Sequence, residues 1–352
     1  MSRFAVIPHA VIPALSPLRI GIAGLGRLGR KHAENLAFHT RHCALVAACS
    51  PIAAELDMAH AQLGVQRLHP TFDDLLADTT VDAVVLVTPT SLHADQTIAA
   101  LHAGKHVFVE KPLALNVEDC ERVEAAAAEH PHLTAMVGFV RRFDPSYRNA
   151  HDAITRGDIG TPFIVRSQTC DLNDESGVFI RFAPTSGGIF MDCSVHDIDL
   201  ARWLLGRPKA TRAFATGTIA IHEELRPLND VDNGLAVVEF EGGQRAVFYA
   251  SRTFAHGHET QTEIIGTAGN LLIGQGAPRD RVVVSDAQGV RHQAVADFFE
   301  RFSDAFGQEM QAFVASCRGE QPLPLTLADA TEATRIGLAI TRSLHSGQPQ
   351  TV

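Results

Sequence analysis

Arg19-Ile20-Gly21-Ile22-Ala23-Gly24-Leu25-Gly26-Arg27-Leu28-Gly29 is an apolar run ending in G-x-G-x-x-G, and the segment after it, Arg30–Phe38, reads as a helix. A buried strand that runs straight into such a turn and helix is built for a dinucleotide pyrophosphate. Gly24 permits the tight turn, Gly26 lets the backbone approach the phosphates, and Gly29 lets the helix pack on the strand. The helix N-terminus adds free N–H groups and the positive end of its dipole. Leu25, Arg27 and Leu28 occupy the remaining turn positions, so 24–29 as a block is the candidate phosphate cradle.

The pattern extends outward. Leu18–Ala23, Ala44–Cys49, Ala83–Val87, His106–Val109 and Ala135–Phe139 read as buried strands, separated by helical stretches at Arg30–Phe38, Ala53–Leu63, His93–His102 and Val117–His130. Strands alternating with helices predict an α/β chain whose N-terminal part is a Rossmann-type, doubly wound parallel sheet. After Arg142 the texture changes. Phe163–Thr169, Ala210–Ile221, Gly234–Glu241, Arg245–Arg252, Glu259–Gly266 and Arg281–Asp286 follow one another as strands, with a hairpin signal at Glu241-Gly242-Gly243-Gln244. One helix, Gly188–Leu205, and helical stretches at Val295–Arg318 and Leu327–Leu344 complete an α+β domain with a large open, mainly antiparallel sheet. The expected organisation is an extension over 1–17, a dinucleotide domain over 18–141, a substrate and oligomerisation domain over 142–325, and a C-terminal helix over 326–352 packing back on the first domain.

Bulk properties set limits. The 352 residues exceed one ordinary hydrophobic core, and 45 % hydrophobic with 20 % charged residues is an enzyme-like profile. A net charge of −10 without a basic stripe argues against nucleic acid as a partner. The apolar 1–17 segment carries Pro8, Pro13 and His9 and no small-residue cleavage site, so it reads as a surface extension and not a secretion signal. No later apolar run approaches the roughly 18 residues of a membrane span. The six cysteines are scattered, without a metal-ligand spacing, which fits reduced thiols in a cytoplasmic protein and no metal site.

The second strand ends at Cys49-Ser50-Pro51, where NAD-selective domains often carry a carboxylate for the adenosine ribose. Ser50 is the candidate ribose contact. Without the acid NADP stays open, yet Pro51–His60 holds no Arg or Lys to pair a 2′-phosphate, so NAD is the expected cofactor.

Two further segments carry a resemblance: Val87-Thr88-Pro89-Thr90-Ser91-Leu92-His93, and Gly104-Lys105-His106-Val107-Phe108-Val109-Glu110-Lys111-Pro112-Leu113-Ala114. With the glycine turn, they make the chain from Leu18 onward resemble the glucose-fructose oxidoreductase and inositol dehydrogenase family, and within it the inositol dehydrogenases. The resemblance implies that Thr88, Pro89, His93 and Glu110 border the cofactor. It also implies that Lys111 stands between nicotinamide and substrate.

The other chemical core is Gly187-Gly188-Ile189-Phe190-Met191-Asp192-Cys193-Ser194-Val195-His196-Asp197-Ile198-Asp199. On one continuous helix Asp192 and His196 share a face. A neutral imidazole suits removal of a hydroxyl proton, so His196 is the candidate general base. Asp192 would orient the hydroxyl and stabilise the imidazolium, while the Lys111 ammonium would bind the reacting oxygen. The trio matches the Lys and Asp-x-x-x-His set of the inositol dehydrogenases. For substrate hydroxyls the candidates are Lys111, Asp192 and His196 together with Arg141, Asp171, Asn173 and His258; of these Arg141 has the planar donor fork.

The reading is a dehydrogenase oxidising a ring hydroxyl of a cyclic polyol or sugar. Open beside it stand aldose oxidation at the anomeric carbon, NADPH-dependent keto-sugar reduction, redox-neutral NAD-dependent glycoside cleavage, and a cofactor-binding sensor. The resemblance implies a homodimer or homotetramer formed through the open sheet.

Overall fold

The computed structural model describes residues 16–274, 276 and 278–352. The expected 1–17 extension therefore lies outside the described residues, apart from Ser16 and Pro17. The strands, in chain order, are β1 (Leu18–Ala23), β2 (Cys43–Cys49), β3 (Arg67–His69), β4 (Ala83–Leu86), β5 (His106–Glu110), β6 (Ala135–Gly138), β7 (Pro162–Leu172), β8 (Ala210–Thr218), β9 (Asn233–Phe240), β10 (Arg245–Phe254), β11 (Glu259–Gly266), β12 (Gly269–Ile273), β13 (Pro278–Asp286), β14 (Gly289–Ala294) and β15 (Gln350–Thr351).

The chain divides into two compact units. The first comprises 1–110, 120–138 and 307–327. Its sheet runs β3-β2-β1-β4-β5-β6 with every neighbouring pair parallel. That order reverses direction between β1 and β4, which is the doubly wound pattern. Both faces of a parallel sheet need cover, so Ile20, Ile22, Val84, Val85, Val107, Phe108 and Val109 are all buried. Phe313 packs edge-on against Phe108 at 5.8 Å between ring centres.

The second unit comprises 111–119, 139–306 and 328–352. Its seven strands run β12-β11-β7-β10-β9-β8-β15, antiparallel except for the β7–β10 pair. Gly242 and Gly243, at φ 83° and 91°, turn β9 into β10 in the left-handed region that side chains disfavour. Along β9, Gly234, Ala236, Val238 and Phe240 face inward while Leu235 and Val237 stay exposed. β13 and β14 stand apart as an exposed two-stranded ribbon, so Arg281–Asp286 does not join the large sheet.

The helix Val195–Leu204 lies in this unit with Asp197 wholly buried. Asp197 accepts from Arg141 Nη1 at 2.7 Å, Ser167 Oγ at 2.6 Å and Thr169 Oγ1 at 2.6 Å. Buried charge is tolerated only when so satisfied. Arg142 likewise forks onto Asp199 at 2.7 and 2.5 Å and reaches Asp329 at 3.3 Å.

Two expectations change. The helix expected over Gly188–Leu205 is two helices, Ile189–Asp192 and Val195–Leu204. Cys193 N and Ser194 N both donate to Ile189 O, at 2.9 and 3.4 Å, which widens the last turn before a new helix starts from Ser194. The helix expected to return to the first domain, Leu327–Ser346, is grouped with the second unit, and it is Gly307–Leu327 that joins the first. The reason lies in its partners: Asp329 binds Arg142 and Arg207, and Ser343 Oγ accepts from Ala215 N at 3.0 Å. Among the described residues no helix is long and apolar enough to cross a membrane.

Candidate active site

In the first unit, β1 delivers the glycine turn. Gly24 sits at φ +89°, and a Cβ there would lie 2.3 Å from Val87 O. A Cβ on Gly29 would lie 2.0 Å from Gly24 O, whereas one on Gly26 would meet nothing within 4 Å. Two glycines are thus imposed by packing, and the third opens a space beside the N-terminus of the helix Arg27–Glu34. An open cradle lined by backbone N–H groups fits a dinucleotide pyrophosphate. Leu25 is buried, Leu28 half-buried and Arg27 exposed.

Ser50, at the end of β2, is buried. Its Oγ donates to Glu55 Oε2 at 2.5 Å and accepts from Ile52 N at 3.1 Å. The carboxylate missing from the strand end is thus supplied five residues later, from the helix Ala53–Leu63. Thr88 and Pro89 follow β4, where Thr88 Oγ1 donates to Gln96 Oε1 at 2.6 Å and His93 Nε2 lies 2.8 Å from Thr88 O. Glu110, assigned above to the cofactor border, turns inward instead: Oε1 lies 2.7 Å from His32 Nε2, and both side chains are buried.

In the second unit a chain of alternating charges is assembled from two strands, β7 and β10, the short helix Ile189–Asp192 and two loops. Lys111 Nζ donates to Asp192 O at 3.0 Å and faces Asp192 Oδ1 at 3.4 Å. The other carboxylate oxygen, Oδ2, is taken by Arg252 Nη2. Arg252 Nη1 stands 3.6 Å from Asp171 Oδ2, and Asp171 Oδ1 is 2.9 Å from His258 Nδ1. Burial alone would raise both carboxyls. Arg252 and then Lys111 outweigh it at Asp192 and hold that carboxyl below its ordinary range. At Asp171 the hydrogen bond with His258 and the charge of Arg252 hold it at about 2.

His196 opens the second helix. Burial, reinforced by the positive charges of Lys111 and then Arg141, pushes its imidazole well below the usual 6.5. It is therefore neutral at physiological pH, and its buried Nδ1 has no hydrogen-bond partner among the described residues. Phe139 meets it edge-on at 6.1 Å. Asp192 binds Lys111 and Arg252, not His196, because the widened turn at Cys193-Ser194 breaks the shared helical face.

Of the remaining candidates, Asn173 donates its backbone N–H to Phe254 O at 2.9 Å and keeps a buried Oδ1 with no hydrogen-bond partner among the described residues. His258 is buried and its Nε2 has no hydrogen-bond partner among the described residues, so with a proton on Nδ1 shared with Asp171 Nε2 is an acceptor. Arg141 differs from expectation: both terminal nitrogens are committed, to Asp197 and Thr169, leaving only Nε. Sequence reasoning passed over Glu55 and Arg252. The second was detectable, because Arg252 falls in phase with Ala246, Phe248 and Ala250, the buried face of β10.

A cradle for a dinucleotide and, separately, a neutral imidazole within electrostatic reach of an ammonium group are the parts needed to take hydride and proton from an alcohol. The class they define is a dinucleotide-dependent oxidoreductase. Residues 18–139 match the model described as an oxidoreductase family, NAD-binding Rossmann fold, and residues 151–352 match that family's C-terminal alpha/beta domain. The chain belongs to the Gfo/Idh/MocA oxidoreductase family. It is 36 % identical over 332 residues to the scyllo-inositol 2-dehydrogenase (NAD(+)) of Bacillus subtilis, covering 94 % of this chain and 95 % of that one. To the myo-inositol 2-dehydrogenase of Thermotoga maritima it is 33 % identical over 330 residues, covering 93 % and 96 %. The crystal structure of scyllo-inositol dehydrogenase from Lactobacillus casei with bound NAD(H) and scyllo-inositol superposes with a TM-score of 0.92 at 38 % identity, covering 96 % of this chain and 99 % of the other.

Proposed function

We propose that this chain oxidises a secondary ring hydroxyl of an inositol to the ketone, with NAD as oxidant. The observation that carries the proposal is the neutral His196 within electrostatic reach of Lys111 and His258, which are themselves bound to Asp192 and Asp171, a density of donors and acceptors suited to a polyhydroxylated ring. The inositol dehydrogenases among its relatives support the substrate class.

The bound dinucleotide supplies the acceptor for the carbinol hydride. His196 takes the hydroxyl proton, a role open to an imidazole that stays neutral across physiological pH. Lys111 donates to the reacting oxygen and stabilises the negative charge that develops as that proton leaves. Asp192, ionised by Arg252 and Lys111, and Asp171 accept from substrate hydroxyls, and His258 Nε2 offers a further acceptor. The 24–29 turn holds the pyrophosphate. Ser50 and Glu55 face the adenosine ribose, where the Glu55 carboxylate favours a free 2′-hydroxyl and repels a 2′-phosphate, hence NAD over NADP.

The exposed apolar face of the large sheet, with Phe214, Leu235 and Val237 on neighbouring strands, supports assembly into a homodimer or homotetramer through that face. Six cysteines, five of them buried and none joined in a disulfide among the described residues, support a reducing, cytoplasmic setting.

The test is appearance of reduced nicotinamide, followed at its near-ultraviolet absorbance, with NAD and NADP separately against myo-, scyllo- and chiro-inositol and a panel of aldoses. Turnover of an inositol with NAD is the expected result. Turnover only of aldoses, or cleavage of a glycoside without net NADH, would replace the proposal.

A further inference from the structure

We propose that Arg252 is the positioning residue of the substrate pocket, a bidentate clamp that fixes Asp192 and Asp171 in the orientation in which substrate hydroxyls meet them. The guanidinium is nine-tenths buried, with its central carbon 4.1 Å from the centre of the Phe179 ring. Nη2 reaches Asp192 Oδ2 and Nη1 faces Asp171 Oδ2 at 3.6 Å. Its backbone N–H is tied to Asp232 O at 2.8 Å, and the β7–β10 register shifts between Ser251 and Phe254. Arg252 keeps the inward phase of Ala246, Phe248 and Ala250, which points its side chain to the same face as theirs.

The clamp changes what the other groups do. Around Arg252 lie Asp192, Asp171 and the Cys193 thiol; beyond them Lys111 faces Asp192, and His258 faces Asp171. Two carboxylates and two fixed cations balance. Without Arg252 the Asp192 carboxylate has Lys111 as its remaining counter-ion, and the ammonium is drawn from the reacting oxygen toward Oδ1 and Oδ2. Asp171 would lose its cation, and with it the anchor that orients His258. A lysine at 252 keeps the charge but, as a point donor on a flexible stem, does not hold two carboxylates in one plane.

The inference rests on the polyol reading for its kinetic arm only. The full-length chain with NAD present, labelled with 13C at aspartate carboxyls, is titrated in wild type, Arg252→Gln and Arg252→Lys. The Asp192 resonance is assigned by its loss in Asp192→Asn. Expected is an upward move of the Asp192 midpoint by about one pH unit or more in Arg252→Gln, and a smaller move in Arg252→Lys. An unmoved midpoint in both folded variants overturns the proposal, whatever substrate the enzyme takes; should Arg252→Gln fail to fold, Arg252→Lys carries the same titration.

In kinetics, Arg252→Gln is expected to lower kcat/KM roughly a hundredfold and to shift the acid limb of its pH profile upward, while Arg252→Lys restores the limb but not the rate. Loss of rate at every pH with an unshifted limb would mean a merely structural role and overturn the proposal. Silence of the wild type toward inositols would instead overturn the polyol reading and leave the titration to decide on Arg252.

Discussion

Replacing Arg141 by methionine separates two roles for one side chain. The residue has the fork suited to ring hydroxyls, yet that fork is spent on Asp197 and Thr169, with Arg141 3 % and Asp197 0 % exposed. Methionine retains most of the stem's packing but leaves the Asp197 carboxylate with only the Ser167 and Thr169 hydroxyls as donors. Removing one member of a buried ion pair costs about 3–5 kcal/mol, since the surviving charge stays desolvated. No discount for solvent screening applies to a pair this deeply buried. The second unit holds roughly 200 residues, and a unit of that size melts about 2–4 °C lower per kcal/mol. The expected fall in Tm is therefore about 6–20 °C by calorimetry. Below the transition, KM for the polyol should stay within about threefold of wild type, a change under 1 kcal/mol. A double variant, Arg141→Met with Asp197→Leu, should recover part of the loss because no charge remains buried. A Tm within about 2 °C of wild type together with a KM raised tenfold or more would refute the reasoning and return the fork to the substrate.

Two further predictions concern the chemistry. His196→Ala should lower kcat by about 10²–10⁴ while the NAD dissociation constant, measured by fluorescence titration, holds steady; lost NAD binding with chemistry spared would remove His196 from the mechanism. Because burial places the folded His196 pKa below the unfolded 6.5, the base stays deprotonated and wild-type kcat/KM should persist below pH 6.5. The same sign applies to stability, which this group supports above pH 6.5 and ceases to support as pH falls from 6.5 through its lower folded pKa. At the ribose, Ser50→Asp should sharpen the preference for NAD and Glu55→Gln should relax it, read as the ratio of kcat/KM for the two cofactors; unchanged ratios in both would place the ribose elsewhere.

Much of the first unit was legible because its signals are local. β1 and the helix Ala53–Leu63 lie at their expected bounds; in β1 only Arg19 interrupts the buried apolar residues that a strand covered on both faces requires. β3 escaped because Arg67-Leu68-His69 is three residues long with two of them polar, and it is a strand only through pairing with β2. The helix Pro145–Arg156 escaped although its signals are in the sequence. Asp144 caps it by accepting from Ser146 N at 2.9 Å and Tyr147 N at 3.3 Å, Pro145 opens it, and Gly157 stops it at φ 84°. In the second half six strands were found but not β12, β14 or β15, nor the order of the sheet. β7 lies between β11 and β10, and its parallel pairing with β10 depends on crossings that no hairpin signal records.

The proposed substrate pocket shows why residue type and spacing stop short of role. Asp192, Asp197 and Asp199 fall within eight residues, and nothing in their neighbours tells a substrate ligand from a structural anion. The distinction comes from cations far away in the chain. Adjacent arginines on the turn Val140–Phe143 divide the work, Arg141 taking Asp197 and Arg142 taking Asp199. Each of these carboxylates is then fully committed. Asp192 is claimed from two other directions, by Lys111 after β5 and by Arg252 in β10, and it sits in a half-buried position with its oxygens toward the pocket's charged groups. A carboxylate whose counter-ions come from the strand end after β5 and the inner face of β10 is held by two separate elements, so its orientation is fixed before substrate arrives. That pre-set orientation limits the reorganisation left for the chemical step. On the proposal made above, Arg252, and not the four-residue spacing of Asp192 and His196, is the feature on which the geometry of the proposed pocket depends.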